Sequence, residues 1–195
     1  VVRHLIPEKR ALFLQTALRL FAAKGVGNTS TAEIAKEAGA GAGTLFLYFP
    51  TKQALIDALL LMLGKQVADA INTQMDPAFN AREELLTIWQ TSVQWFLQNP
   101  DAYTYIQQVR DSTSVSPEVV AESSAFFAFY YTAIQKGLQE GSIRSYPVDF
   151  IGGFLYQGII ATVNYLRMQN EVDDADDTIH MGFSIFWDGI KSEKE

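Results

Sequence analysis

Apolar residues recur at helical spacing along nearly the whole chain, and that periodicity removes most fold classes at once. Phe13, Ala17, Leu20 and Phe21 share one helix face, as do Leu85, Trp89, Val93 and Phe96. No pair of alternating apolar and polar runs flanks a hairpin turn, so the chain reads as all-α. Glycine, proline and Asn/Ser clusters divide it into about nine helices, at roughly 7–24, 31–38, 43–49, 51–75, 81–98, 101–111, 117–140, 147–168 and 174–191. The second and third are short. With 195 residues, 48% of them apolar, the chain is long enough to bury a real core in one or at most two domains.

Composition excludes several chemistries. There is no cysteine, hence no disulfide scaffold, thiolate nucleophile or Cys-based metal site. The two histidines, His4 and His180, lie near opposite ends of the sequence, so neither a metal nor a cofactor is expected. The acidic run Glu171, Asp173, Asp174, Asp176, Asp177 lacks the glycine and terminal glutamate of a calcium loop. It reads as the acidic start of a helix. The most apolar stretch, 150–166, is 17 residues long and carries Gln157 and Asn164, short of the roughly 20 needed to span a bilayer. No membrane partner is expected, and with no secretory signal pattern at the N-terminus the expected compartment is the cytoplasm.

Charge is unevenly divided. Up to Lys52 there are seven basic residues against three acids, a net +4 within a total of −7, so the remainder carries −11. A basic end on an acidic body fits a chain that touches a polyanion at one end only, although chance produces the same split. Residues 31–49, TAEIAKEAGAGAGTLFLYF, read as helix, glycine turn and second short helix. Ile34, Ala35, Ala38, Leu45 and Phe49 are expected inward. Thr31 stands where a cap is wanted, and Gly39 allows the left-handed turn. The second helix would present Ala42, Thr44, Phe46, Leu47 and Tyr48 outward, toward a DNA major groove, though a short helical hairpin can also be purely structural.

The run from Ala11 to Leu55, with its Ala17–Phe21 face, Gly25, Thr29, Thr31, Ile34–Ala35, Ala38–Gly39, Gly43–Phe49 and Lys52, resembles the N-terminal domain of the tetracycline-repressor (TetR) family. The resemblance implies a three-helix helix-turn-helix domain over 1–50 and a helical ligand-binding and dimerisation domain over 51–195, joined through helix 51–75. It implies that Thr31 and Thr44 meet phosphates and that Tyr48 and Lys52 clamp the DNA backbone. Base reading would fall to Ala32, Ala42, Gly43, Phe46 and Leu47, which offer almost no hydrogen-bonding side chains. Phe46 stands where tyrosine is common and Gly41 where serine often caps. Specificity is therefore expected to lean on thymine methyl contacts and DNA shape, and Gly41 and Gly43 are expected to loosen the recognition helix.

The body is rich in aromatic residues, most of which any helical bundle would use as core. A cavity lined by Trp89, Phe96, Tyr103, Phe127, Tyr130, Tyr131 and Tyr156, with Gln94, Gln107 and Gln157 as polar groups, would suit a small apolar or amphipathic ligand. The resemblance implies an inducer there and a homodimer through helices 147–168 and 174–191. In support, those helices would otherwise leave Phe150, Ile151, Phe154, Leu155, Ile159, Val163, Phe183, Phe186 and Trp187 in water; alternatively they cap a monomer's core. No nucleophile elbow, zinc-protease or phosphate-loop pattern occurs, so no catalytic residue is assigned and no enzyme is expected. The reading is a ligand-responsive regulator, a repressor, released from a palindromic double-stranded operator by an inducer. The alternative is a helical small-molecule-binding protein without sequence-specific DNA binding.

Overall fold

The computed structural model describes residues 5–110, 115–169 and 175–193. Among these are ten α-helices and no strand: α1 (Pro7–Lys24), α2 (Thr31–Glu37), α3 (Ala42–Tyr48), α4 (Lys52–Gln74), α5 (Ala81–Gln98), α6 (Pro100–Arg110), α7 (Pro117–Ala125), α8 (Ala128–Glu140), α9 (Val148–Met168) and α10 (Ala175–Ile190). Local chemistry sets several of the starts. Thr51 Oγ1 accepts from Ala54 N (3.0 Å) to open α4. Asn80 and Glu83 exchange two bonds, Asn80 N to Glu83 Oε2 (2.8 Å) and Glu83 N to Asn80 Oδ1 (3.0 Å), a reciprocal cap on α5.

The single helix expected over 117–140 is divided. Phe127 N bonds Ser124 O (3.1 Å) and Tyr130 N bonds Phe127 O (3.1 Å), so the backbone tightens to three-residue spacing and restarts at Ala128. Ser123 and Ser124, weak helix formers, precede the break. Asp176 and Asp177 lie in the first turn of α10 as expected, while Glu171, Asp173 and Asp174 lie outside the described residues.

The chain forms two compact units. The first takes residues 1–65 and 99–123, so α6 and most of α7 join the N-terminal helices; the second takes 66–98 and 124–195. In the first, Phe13, Leu14, Ala17, Leu20 and Phe21 of α1 are buried together with Ile34, Ala35, Leu45, Phe49, Leu55 and Tyr105. In the second, α5 packs on α8, α9 and α10, with Leu85, Trp89, Val93 and Phe96 all buried as their spacing predicts.

Trp89 keys that second core. Its ring stacks on Phe186 (centroids 5.7 Å, 26°) and meets Phe183 edge-on (6.0 Å, 72°). It approaches α9 and α10 where each carries a glycine: a Cβ on Gly158 would lie 2.5 Å from Trp89 Cη2, and one on Gly182 would lie 3.0 Å from Trp89 Cζ2. A rigid, fully buried ring cannot yield as a flexible side chain does. Gly158→Ala is therefore expected to destabilise the protein by about 1–3 kcal/mol in urea denaturation. Gly153→Ala, whose Cβ would meet nothing within 4 Å, is expected to be neutral or to stabilise by up to about 1 kcal/mol.

Candidate DNA interface

Two seven-residue helices and the turn between them build the candidate interface. α2 starts on Ser30, whose Oγ accepts from Glu33 N (3.1 Å). The cap is therefore Ser30 and not Thr31, which sits one residue inside the helix. Both residue types cap well, and only the backbone, extended at Ser30 (φ −90°, ψ 153°), distinguishes them. Gly39 takes the left-handed conformation in the turn (φ 66°), as its position predicts. Ala40 N closes the turn back to Ala35 O (2.8 Å).

α3 begins at Ala42, so Gly41 is its N-cap rather than a helical residue, and it supplies no side-chain cap. Only Gly43 thus carries the helix penalty expected of both glycines. Leu45 and Phe49 turn inward and are buried, whereas Ala38 is half-buried at the end of α2. Gly43, Phe46 and Leu47, spaced i, i+3 and i+4, form one exposed face, with Phe46 43% and Leu47 46% accessible. Ala42 and Thr44 flank it half-buried, as does Thr31 on α2. Neither threonine hydroxyl has a protein partner among the described residues. The exposed face of α3 thus carries no hydrogen-bonding side chain, and Thr44 and Tyr48, expected outward beside it, are half-buried.

Tyr48 and Lys52 are both held by the protein itself. The Tyr48 hydroxyl accepts from Ile6 N (3.0 Å), tying α3 to the start of α1, and its ring meets Phe13 edge-on (5.5 Å). Its own O–H proton is not used in that bond. Lys52 Nζ donates to Val26 O (2.6 Å), leaving two of its three protons. Arg10 lies over the Phe49 ring (5.2 Å to the centroid), which places an exposed guanidinium beside the end of α3. Sequence reasoning missed that residue, because α1 meets α3 only in the folded chain.

Two of the seven basic residues of this end are paired with its own acids. Arg19 pairs with Glu37 (2.9 Å) and Lys24 with Glu33, stitching α1 to α2 across exposed surface. The hydrogen bond from Lys24 holds the Glu33 carboxyl below its ordinary range. Such exposed pairs contribute little to stability; burial of Ile34, Ala35 and Leu45 holds the helices in place.

The expected ligand residues are drawn from both units. Tyr103 and Gln107 belong to the first unit; Trp89, Gln94, Phe96, Phe127, Tyr130, Tyr131, Tyr156 and Gln157 belong to the second. Trp89, Phe96 and Tyr103 are buried, Phe127, Tyr130, Tyr131 and Tyr156 are half-buried, and Gln94 is exposed. Tyr130 and Tyr131 stack at 4.1 Å, and Tyr130 packs against Gly152. Trp89 and Gln157 both line an open groove of about 680 Å³ between α9 and α10.

That groove also corrects the expected exposed face. Phe150 and Phe154 are 59% accessible, but Ile151, Leu155, Ile159, Val163, Phe183 and Phe186 are buried in the unit's own core and Trp187 is half-buried. The apolar surface is completed instead by Tyr165, Met168, Met181 and Ile185, the last 70% accessible. An α9 apolar on nearly every side gives no phase from which to choose its outer face. Among the described residues there is no group of three His, Cys, Asp or Glu able to hold a metal, and no helix long and apolar enough to cross a membrane. His180 is exposed and its Nε2 lies 3.0 Å from Gln90 Nε2, a surface contact.

Comparison with known proteins locates the two parts. The family profile described as bacterial regulatory proteins, tetR family, matches residues 13–59, and that for the tetracyclin repressor-like C-terminal domain matches residues 62–192. The chain is 49% identical over 53 residues to the helix-turn-helix transcriptional regulator YuxN of Bacillus subtilis, covering 27% of this chain and only 18% of YuxN. It is 24% identical over 202 residues to the helix-turn-helix transcriptional repressor KstR2 of Rhodococcus jostii, covering 94% of this chain and 92% of that protein. A crystal structure of a TetR-family transcription regulator from Shewanella sp. PV-4 superposes with a TM-score of 0.87 at 27% identity, over 95% of this chain and 99% of the other.

The reassigned cap is directly testable. Ser30→Ala is expected to lower unfolding free energy by about 1 kcal/mol, while Thr31→Ala is expected to leave it within about 0.5 kcal/mol of the parent. Equal losses in chemical denaturation, or a larger one for Thr31→Ala, would return the cap to Thr31.

Proposed function

Since the chain belongs to the TetR family of bacterial regulatory proteins, we propose that it is a repressor that binds a palindromic operator as a homodimer and leaves it when a small apolar or amphipathic molecule binds the body. The exposed Gly43–Phe46–Leu47 face on the second helix of a helix-turn-helix carries this reading. In it, α3 enters the major groove with residues 1–50 as the reader and 51–195 as the body. Ala42, Phe46 and Leu47 supply apolar contact to thymine methyls, and Gly43 lets backbone approach closely. Thr31 and Thr44, whose hydroxyls are unengaged, meet phosphates, joined by the Tyr48 O–H and the remaining protons of Lys52. The relatives are transcription regulators, and in this reading the chain performs no catalysis and works in the cytoplasm.

The second copy docks on the α9–α10 surface. Phe150, Phe154, Met181 and Ile185 form an apolar face larger than scattered surface residues require. A two-fold axis through it would give two recognition helices and hence a symmetric operator. Release follows by linkage: a molecule that favours a dimer whose two α3 helices are misplaced weakens operator binding by its affinity ratio for the two states, and DNA weakens that molecule's binding equally.

Selection of bound duplexes from a randomised pool at physiological salt tests the reading. Enrichment of two-fold symmetric sequences is expected. Thr31→Ala combined with Thr44→Ala should weaken binding to all of them alike, and Phe46→Ala with Leu47→Ala should relax sequence preference. No enrichment by the parent protein would favour the ligand-binding module without operator recognition. Phe154→Glu is expected to yield monomers in sedimentation and to lose the symmetric site, since a charge at an apolar interface core opposes association.

A further inference from the structure

The loop between α1 and α2 is tied to α4 and α6 at one residue, Val26. Within the loop the bonds are local: Asn28 Nδ2 donates to Lys24 O (3.0 Å), and Thr29 Oγ1 to Gly25 O (2.9 Å) and Leu20 O (3.4 Å). At Val26 the partners come from distant helices. Gln108 of α6 accepts from Val26 N through Oε1 (3.1 Å), and its Nε2 donates to Phe21 O (3.1 Å) at the end of α1. On the opposite side of the residue, Lys52 of α4 donates to Val26 O. One residue's two backbone polar groups are therefore each held by a side chain from a different helix.

Both ends of the Gln108 amide, its oxygen and its nitrogen, are engaged in this arrangement. Phe21 O already accepts from Gly25 N (2.9 Å), the bond that closes α1 before the left-handed Gly25 (φ 88°), and Gln108 fills its second lone pair. Val26 N–H lies beyond the end of α1 and has no helical carbonyl to bond. A carbonyl acceptor and an amide donor on one planar group, at this separation, are what glutamine offers and what neither a charged nor an apolar side chain of equal length reproduces. Tyr105, one helical turn earlier on the same face of α6, anchors the approach: its ring stacks on Phe21 (5.9 Å, 16°) and its hydroxyl donates to Ile56 O (2.7 Å). Burial, with the Asp57 charge adding to it, pushes the Tyr105 phenol far above its ordinary range, so it remains a neutral donor.

We propose that Gln108 is a positioning residue for operator binding: by bridging Phe21 O and Val26 N it sets where the α1–α2 loop, and with it the reading helices α2 and α3, stand on α4 and α6. The inference rests on the operator reading above and adds to it a residue that touches no DNA. The reading helices leave the loop immediately after Ser30; the buried seam of Ile34, Ala35, Leu45 and Phe49 and the Tyr48–Ile6 bond hold them against α1, and the Val26 bonds set the loop against α4 and α6. Loss of the Val26 tie frees the loop to shift, and recognition geometry tolerates little displacement.

The test uses the full chain and the duplex that the parent protein selects from a randomised pool. Gln108→Met keeps the length and volume of the side chain and removes both hydrogen bonds. It is expected to weaken that duplex about tenfold, as two part-buried bonds warrant, with an unchanged slope of affinity against salt, since no phosphate contact is removed. The Val26 amide should lose its protection against hydrogen exchange. Gln108→Glu keeps the acceptor for Val26 N–H, and is expected to retain that protection and lose less affinity than Gln108→Met. Methionine within twofold of the parent, or glutamate no better than methionine, overturns the proposal. If Gln108→Met does not fold, Gln108→Glu decides: affinity within about threefold of the parent with Val26 protected supports the tie, and binding lost with Val26 protected overturns it. A parent protein that selects no duplex removes the operator reading and this inference together, whereas failure of the variants alone removes only the inference.

Discussion

Everything at the N-terminal end depends on the burial of one face of α1. α2 and α3 are seven residues each, about two turns, and helices that short do not persist in water by themselves. They exist because Ile34, Ala35, Leu45 and Phe49 find Phe13, Leu14, Ala17, Leu20 and Phe21, all of them buried. At roughly 1.5–3 kcal/mol for each large side chain removed from water, this seam outweighs the exposed ion pairs Arg19–Glu37 and Lys24–Glu33, whose contribution is a fraction of that. The ion pairs add orientation between α1 and α2 and lower the local positive charge on that flank.

With the seam settled, the apolar residues left in water stand out. On α3 they are Phe46 and Leu47; on α9 and α10 they are Phe150, Phe154, Tyr165, Met168, Met181 and Ile185. The two sets differ in kind. The α3 set is small, flanked by threonines and a tyrosine, and sits on the basic segment, which suits contact with a polar groove carrying a few methyl groups. The α9–α10 set is broad and uninterrupted by charge, and the adjoining groove reaches down to Trp89, which suits another apolar surface. A buried indole behind the groove, fitted against Gly158 and Gly182, makes its floor rigid.

What was legible in the sequence was whatever a local period or a single residue's stereochemistry decides. The buried faces of α1 and α5, the start of α5 near residue 81, and the left-handed Gly39 all belong to that class. Three features escaped for physical reasons. Ser30 and Thr31 are adjacent hydroxyl residues with similar capping chemistry, so the true cap depends on backbone angles set by the turn. The break at Phe126–Phe127 lies in a run whose apolar content continues through it, so periodicity carries no sign of the restart. On α9, apolar nearly all round, no pattern could tell that Phe150 and Phe154 face out while Ile151 and Leu155 face in. Of the aromatic residues grouped as a pocket, Trp89, Phe96 and Tyr103 are buried, Phe127, Tyr130, Tyr131 and Tyr156 are half-buried, and Gln94 is exposed; a core and a ligand wall call for the same residue types.

The sparse chemistry of α3 bears on why placement matters so much here. A reading face with arginine or asparagine side chains can draw itself into register by bidentate bonds that form only at the right base. Gly43, Phe46 and Leu47 have no such means; their contacts are short-ranged and fall away steeply with distance. Discrimination by fit then requires that the backbone arrive already in position. The hydrogen bonds that fix the Val26 backbone between Gln108 and Lys52, and the one that fixes Tyr48 to Ile6, brace the segment that carries the two short helices near its two ends. Under the proposed operator reading, a face poor in directional bonds to DNA is mounted on a frame rich in directional bonds to itself, which transfers the demand for precision from the recognition side chains to the protein backbone.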